Sequence, residues 1–292
     1  MKWKLKKGII ALIIFVVAFV GINLFQHNPP KQIKENKDII VQRNIRYTNP
    51  VELPETFDLY RSKNYHGPSP ALIFVHGGSW RYGSKELNKR WKTIFNEIVK
   101  DGYTAISIDY TLYSQKEYSY NYPVRDVKSA INFIYKNSAE LGIDRKQIGL
   151  AGASAGGHLA LLTGLQPDIQ NKINYIIAWY PISDLTTMHQ APSMKSAEIV
   201  ESYMNSTVEQ MTDEYNRMSP IQYVKQAKIP IFIVHGTGDT LVPFSQSEKF
   251  AKKNPKKVTL IALKNGNHGF TNISIQKSTN DTINFLKARL KK

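Results

Sequence analysis

The chain has 292 residues, 42% of them apolar and 21% charged, which is ordinary for a globular protein with a substantial core. It contains no cysteine, so a thiol nucleophile, a thiolate metal site, a disulfide and a cysteine-borne lipid are excluded. Its formal net charge of +16 favours anionic surfaces, but no basic helix interleaved with aromatics and no zinc-finger or RNP pattern accompanies it, so nucleic-acid binding is not expected.

Residues 1–7 read MKWKLKK, and an uncharged run of 18 residues follows from Gly8 to Phe25. About 20 apolar residues cross the hydrocarbon as a helix, whereas a cleavable signal core has roughly 7–15. Residues 1–26 are therefore expected to be an uncleaved transmembrane anchor; the alternative is a signal segment cut from a secreted protein. Lys2, Lys4, Lys6 and Lys7 should hold the N-terminus in the cytoplasm and send the rest of the chain to the outer face. Residues 27–37, with Pro29-Pro30, read as a polar linker, and 38–292 as one domain.

Short apolar runs then alternate with helical stretches. Ile39 to Tyr47 and Thr56 to Tyr60 alternate like half-buried strands. Ala71 to Val75, Tyr103 to Ile108, Gln147 to Leu150, Asn174 to Trp179, Ile229 to Val234 and Val258 to Leu263 are runs typical of strands buried on both faces. Leu87 to Lys100, Val124 to Lys136, Leu159 to Leu165 and about Ser278 to Lys291 have helical spacing. Strands alternating with helices give a mostly parallel sheet covered on both faces, with sites just beyond the carboxyl ends of its strands.

Gly152-Ala153-Ser154-Ala155-Gly156 fits G-x-S-x-G and stands between a strand and an apolar helix, where a strained turn exposes the serine hydroxyl. The bland reading is a strand-to-helix loop whose glycines merely pack closely. A serine needs a histidine base held by a carboxylate. His268 lies in a glycine-rich loop after the last strand; His235, at another strand end, is its main rival, ahead of His158, His189 and His66. Asp239 follows the strand ending at Val234 and precedes His268, the chain order a strand-end triad requires. Asp184 is the second candidate, and turn capping is the plain alternative for either. After the strand ending at Val75, His76-Gly77-Gly78-Ser79-Trp80 offers small residues whose N–H groups can turn towards a reacting carbonyl, with the N–H of Ala155 as a further donor.

The ordered set HGGSW, DYTL, GASAGG, GTGDTLVP and GNHGF, spread from about residue 40 to the C-terminus, resembles the α/β-hydrolase superfamily, in particular its hormone-sensitive-lipase-like and feruloyl/acetyl-xylan-esterase-like branches. The resemblance implies an α/β-hydrolase fold, a mostly parallel central sheet with helices on both faces and a small helical cap at about 185–224; the N-terminal transmembrane helix expected from the apolar run precedes it. It implies Ser154 as nucleophile, His268 as base, Asp239 as its orienter, and the backbone of Gly78, Ser79 and Ala155 as oxyanion hole, with no metal and no cofactor. Asp109-Tyr110-Thr111-Leu112 resembles the family's D-Y-R-L, which braces the oxyanion loop. Two positions depart from the pattern. Ser79 stands where many members have a third glycine, and Thr111 replaces the usual arginine, which changes the bracing contacts. Tyr110, Tyr113, Tyr118, Tyr120 and Tyr122 make a dense loop whose rings either pack together or stack on sugars or aromatic acids.

The function expected is hydrolysis of carboxylic esters, small-molecule or carbohydrate, through an acyl-enzyme at the outer face of a membrane. An acyltransferase with the same triad, a serine peptidase and an inactive surface-binding scaffold are the alternatives.

Overall fold

The computed structural model of the chain describes residues 32–36, 38–48, 55–113, 118–191 and 193–290. The expected anchor over residues 1–26 lies outside them. Among the described residues, no helix is long and apolar enough to cross a membrane.

The sheet begins with an antiparallel edge of β1 (Gln32–Asn36), β2 (Ile39–Arg46) and β3 (Thr56–Ser62). β1 corrects the reading of residues 27–37 as linker throughout. QIKEN carries a single apolar residue, so no alternation marks it. Its backbone nevertheless pairs with β2, from Gln32 opposite Gln42 to Asn36 opposite Ile39, and ladder hydrogen bonds do not depend on side-chain polarity.

β3 runs antiparallel to β5 (Thr104–Ile108). Beyond it the neighbours are parallel: β5 with β4 (Ser69–Val75), β4 with β6 (Ile143–Ala153), then β7 (Tyr175–Trp179), β8 (Ile231–Gly236) and β9 (Val258–Leu263). The order across the sheet is β1-β2-β3-β5-β4-β6-β7-β8-β9. The mostly parallel sheet expected from the runs is present; five of the six runs mark inner strands with both faces covered, whereas Val258–Leu263 is the edge strand β9 and is partly exposed along its length.

Eight helices lie among the described residues: α1 (Lys89–Lys100), α2 (Tyr122–Lys136), α3 (Ala155–Gly164), α4 (Pro167–Gln170), α5 (Met194–Met204), α6 (Thr212–Arg217), α7 (Ser245–Lys253) and α8 (Ile275–Leu290). Successive strand residues point to opposite faces, and β4 shows the result. Leu72 and Phe74 join Ile94, Phe95 and Ile98 of α1 and Leu286 of α8 in one core. Ile73 and Val75 join Val127 and Ile131 of α2, Leu159 of α3 and Phe250 of α7 in the other. Sequence spacing does not reveal α7, since SQSEKFAKK offers Phe250 as its one large apolar residue. That ring is fully buried, so tertiary packing rather than amphipathic period holds the helix.

Between β7 and β8, residues 185–226 run as a 3₁₀ turn at Leu185–Gln190, then α5 and α6, then 3₁₀ turns at Pro220–Gln222 and Val224–Gln226. This helical insertion covers the carboxyl ends of the central strands.

Candidate active site

Ser154 stands between β6 and α3 at φ 55°, ψ −121°, a region that costs a non-glycine residue energy and is found where surrounding structure enforces it. The enforcement is visible on both sides. Ser154 N–H donates to the Trp179 carbonyl at 2.9 Å, and the Ser154 carbonyl accepts from His158 N–H at 3.0 Å. The flanking glycines are required by space. A Cβ on Gly152 would lie 2.1 Å from the Gly156 carbonyl oxygen, and one on Gly156 would lie 2.1 Å from that of Val75.

His268 and Asp239 meet Ser154 from neighbouring strand ends. The loops after β8 and β9 come together because Gly236 and Gly266 touch backbone to backbone: a Cβ on Gly236 would sit 2.1 Å from the Gly266 oxygen. His268 Nε2 is 3.0 Å from Ser154 Oγ, and its Nδ1 is 2.7 Å from Asp239 Oδ2. The edge of Tyr180 supports the imidazole, with ring centroids 4.7 Å apart. The three residues named from the sequence therefore form one hydrogen-bonded chain of hydroxyl, imidazole and carboxylate.

The Asp239 side chain is wholly buried. Burial alone would raise its pKa, but donors from His235, His268 and the Val242 N–H outweigh it and hold the carboxyl below the usual range. Oδ1 accepts from Leu241 N–H at 3.0 Å and Val242 N–H at 2.9 Å. His235, the rival base, proves to serve this carboxylate. Its Nε2 lies 2.9 Å from the Val242 carbonyl and 3.3 Å from Asp239 Oδ2. Both are acceptors, so Nε2 carries the proton, and Nδ1 then accepts from Ser247 Oγ at 2.7 Å. The sequence signal for this role is its place four residues before Asp239, at the end of a buried strand.

The other candidates fall elsewhere. Asp184 caps the turn at Leu185–Gln190, accepting from Thr186 N–H at 3.1 Å and Thr186 Oγ1 at 2.6 Å. His158 is buried, with Nε2 2.7 Å from the Met218 carbonyl, and burial pushes its pKa down to about 4. His66 is exposed, and the side chain of His189 lies outside the described residues.

Gly78, Ser79 and Trp80 have φ of 121°, 55° and 55°. In this turn the N–H groups of Arg81 and Tyr82 both bond back to the Gly78 carbonyl. Ser79 and Ser154 line the same small cavity, and Ala155 opens α3, where a first-turn N–H has no partner inside the helix. Ser79 and Ala155 thus stand beside Ser154, with Gly78 next to Ser79 in the chain. The serine in place of a third glycine adopts the left-handed backbone itself.

The turn is braced from below without an arginine at position 111. Asp109 accepts from Lys85 N–H at 2.7 Å and Lys85 Nζ at 3.0 Å. Tyr110 stacks on His76 at 4.3 Å and donates to its carbonyl at 3.1 Å. Thr111 gives both its N–H and its hydroxyl to Asp126. The tyrosines pack: Tyr118 meets Tyr113, Tyr122 and Tyr203 ring to ring. Sequence reasoning missed the tie from the cap. Tyr203 of α5 stacks on Trp80 at 4.2 Å and 16°, and donates to the Tyr120 carbonyl at 2.9 Å.

Glu55 sits under this brace. Burial first, then the neighbouring Asp126 and Asp109 carboxylates, raise its pKa from 4.5 to about 7. A raised carboxyl favours the folded state while protonated; that stabilisation is complete below about pH 4.5 and is lost as pH rises through about 7. Glu55→Gln is expected to remove this loss. Melting temperatures of the two proteins should differ little at pH 5, with the variant the more stable at pH 8. A constant difference across that range would exclude the effect.

The cavity beside Ser154 measures about 20 Å³, little more than the roughly 10–15 Å³ needed for one water. Its walls are Ile182, Met188, Ile199, Val200, Leu241 and Val242, so strand ends and insertion together close it.

Residues 57–254 match the BD-FAE family. Esterase LipC of Mycobacterium tuberculosis is 28% identical over 235 residues, 74% of this chain and 57% of its own length. The chain spans about half the length of the curated relatives it matches. Among solved structures, an esterase of Thermogutta terrifontis with propionate bound superposes with a TM-score of 0.69 at 25% identity, covering 83% of this chain and 92% of that one. A truncated carbohydrate esterase from gut microbiota shares the fold with a TM-score of 0.72 at 21% identity, covering 89% of this chain and all of the other.

Proposed function

The chain belongs to the BD-FAE family, on the carboxylesterase branch of the α/β-hydrolases, and from that premise we propose that it hydrolyses carboxylic esters of short acyl chains by a two-step acyl transfer. The observation that carries the proposal is the unbroken hydrogen-bonded chain Ser154–His268–Asp239 at 3.0 and 2.7 Å. Ser154 Oγ attacks the ester carbonyl as His268 Nε2 takes its proton. Charge developing on the carbonyl oxygen is met by the N–H groups of Gly78, Ser79 and Ala155. The alcohol departs with the proton from His268, and water repeats the sequence on the acyl-enzyme. Asp239 stays ionised throughout, which fixes the tautomer with Nδ1–H towards itself and stabilises the imidazolium.

The narrow cavity supports a small acyl group, since larger ones would have to displace Met188 or Leu241. The uncharged run Gly8–Phe25 behind four lysines supports an N-terminal anchor that places the domain on the outer face of a membrane.

The test is nitrophenolate release from p-nitrophenyl esters of increasing acyl length. The full chain should turn over acetate faster than octanoate by at least tenfold. Equal rates along the series would discard the acyl limit, and no release together with no labelling of Ser154 by a fluorophosphonate would discard the hydrolase.

A further inference from the structure

A second recess, of about 280 Å³, lies between the start of α2, the end of α3 and the segment returning from the insertion to β8. It shares no lining residue with the cavity at Ser154. Leu162, on its wall, is eight residues along α3 from Ser154, or about 12 Å at 1.5 Å per residue. A recess of this size with largely apolar walls approaches the lower end of small-molecule sites, about 300 Å³.

Its lining mixes two chemistries. Val124, Leu162, Leu165, Met218 and Tyr223 supply apolar and aromatic surface. At about 30 Å³ per heavy atom, the share of one water in the liquid, the volume takes roughly nine or ten atoms. Arg217, Gln166 and Gln226 also line the recess, and no carboxylate does. Arg217 gives one N–H to Tyr120 Oη at 3.2 Å and stands 3.7 Å from Glu214, a long pair that leaves most of its five donors unspent. Lys128, beside Gln166 at 3.2 Å, is paired with Asp168 at 3.1 Å. Arg217 is the one charged residue among those lining the recess.

We propose that this recess binds a small amphipathic carboxylate, its apolar body against Leu162, Leu165 and Tyr223 and its carboxylate on Arg217, at a site separate from the catalytic cleft. A guanidinium takes a carboxylate in a two-pronged fork, and burial of the body supplies most of the affinity. The site does not depend on Ser154 chemistry, and its test does not read turnover.

The full chain in detergent is titrated calorimetrically with 4-phenylbutanoate and, separately, with its neutral amide. Wild type should bind the acid saturably with a Kd on the order of 1 mM, near what a ligand of this size reaches, and at least fivefold tighter than the amide. Arg217→Gln should erase the preference for the acid. Val124→Trp should fill the recess and lose both ligands, while Ser154→Ala should bind as wild type does. Failure to saturate, an amide bound as tightly as the acid, or undiminished binding in Arg217→Gln would each overturn the site. Arg217 is exposed, so its variant carries the test even if the tryptophan variant melts early.

Discussion

Ser154→Ala is expected to lower turnover of p-nitrophenyl acetate by on the order of a million-fold, the scale measured when the nucleophile of another serine hydrolase is removed. The variant keeps the oxyanion donors and the cavity, so a small rate above that in water should persist. It leaves Asp239 and His235 untouched. The replacement also keeps a side chain at φ 55°, so its backbone strain is the same and its melting temperature should stay within a few degrees of wild type. His268→Ala should cost a similar factor, and the double variant little more, because nucleophile and base act as one unit. Initial rates with burst titration of active sites measure this. A loss below about a hundredfold in either single variant would assign the chemistry to other groups.

Gly156→Ala is expected to be among the most damaging changes that remove no catalytic atom. Helix propensity favours alanine by about 1 kcal/mol. Space opposes it: the new methyl would lie 2.1 Å from the Val75 oxygen and 2.3 Å from that of His76. Both obstacles are backbone, so relief requires α3 to move away from the end of β4. Overpacking of this kind costs typically about 1–3 kcal/mol. The larger effect falls on geometry, because the carbonyls at Val75 and His76 lead directly into the turn of Gly78 and Ser79. A displacement of about 1 Å between a reacting centre and its donors can cost a factor of about a hundred. Turnover should fall at least that far, with unchanged labelling of Ser154 by a fluorophosphonate at long times, since the nucleophile remains. Wild-type rates in this variant would show that the two turns tolerate separation.

How far the sequence discloses the protein depends on where each residue's partners lie. Strands such as Ala71–Val75 are legible because burial on both faces writes a continuous apolar run into the chain. Ser154, Asp239 and His268 are legible because each follows such a run with the small residues a tight turn needs, as Gly236 and Gly266 illustrate. What stays hidden is decided by contacts across space. β1 is held by its backbone, which has no letter in the sequence. α7 is held by one phenylalanine. The service of His235 to Asp239 depends on Ser247 and the Val242 carbonyl, and its strand-end position suits a base equally well. The bracing of the oxyanion turn depends on Lys85 reaching Asp109, 24 residues on. The departure of Thr111 from arginine is plain in the sequence, but its partner Asp126 is known only from the fold.

The stacked pair of Trp80 and Tyr203 bears on how such enzymes can be recombined. Both rings are fully buried, one in the turn proposed to carry the oxyanion donors and the other in the helical insertion. An insertion spliced in near residues 185 and 224 that lacked this tyrosine would leave one face of the indole bare and the turn free to relax. Exchange of this segment to alter substrate range would therefore succeed only with donors that bring a flat ring to the same place, so the modularity of the scaffold is limited by a single aromatic contact.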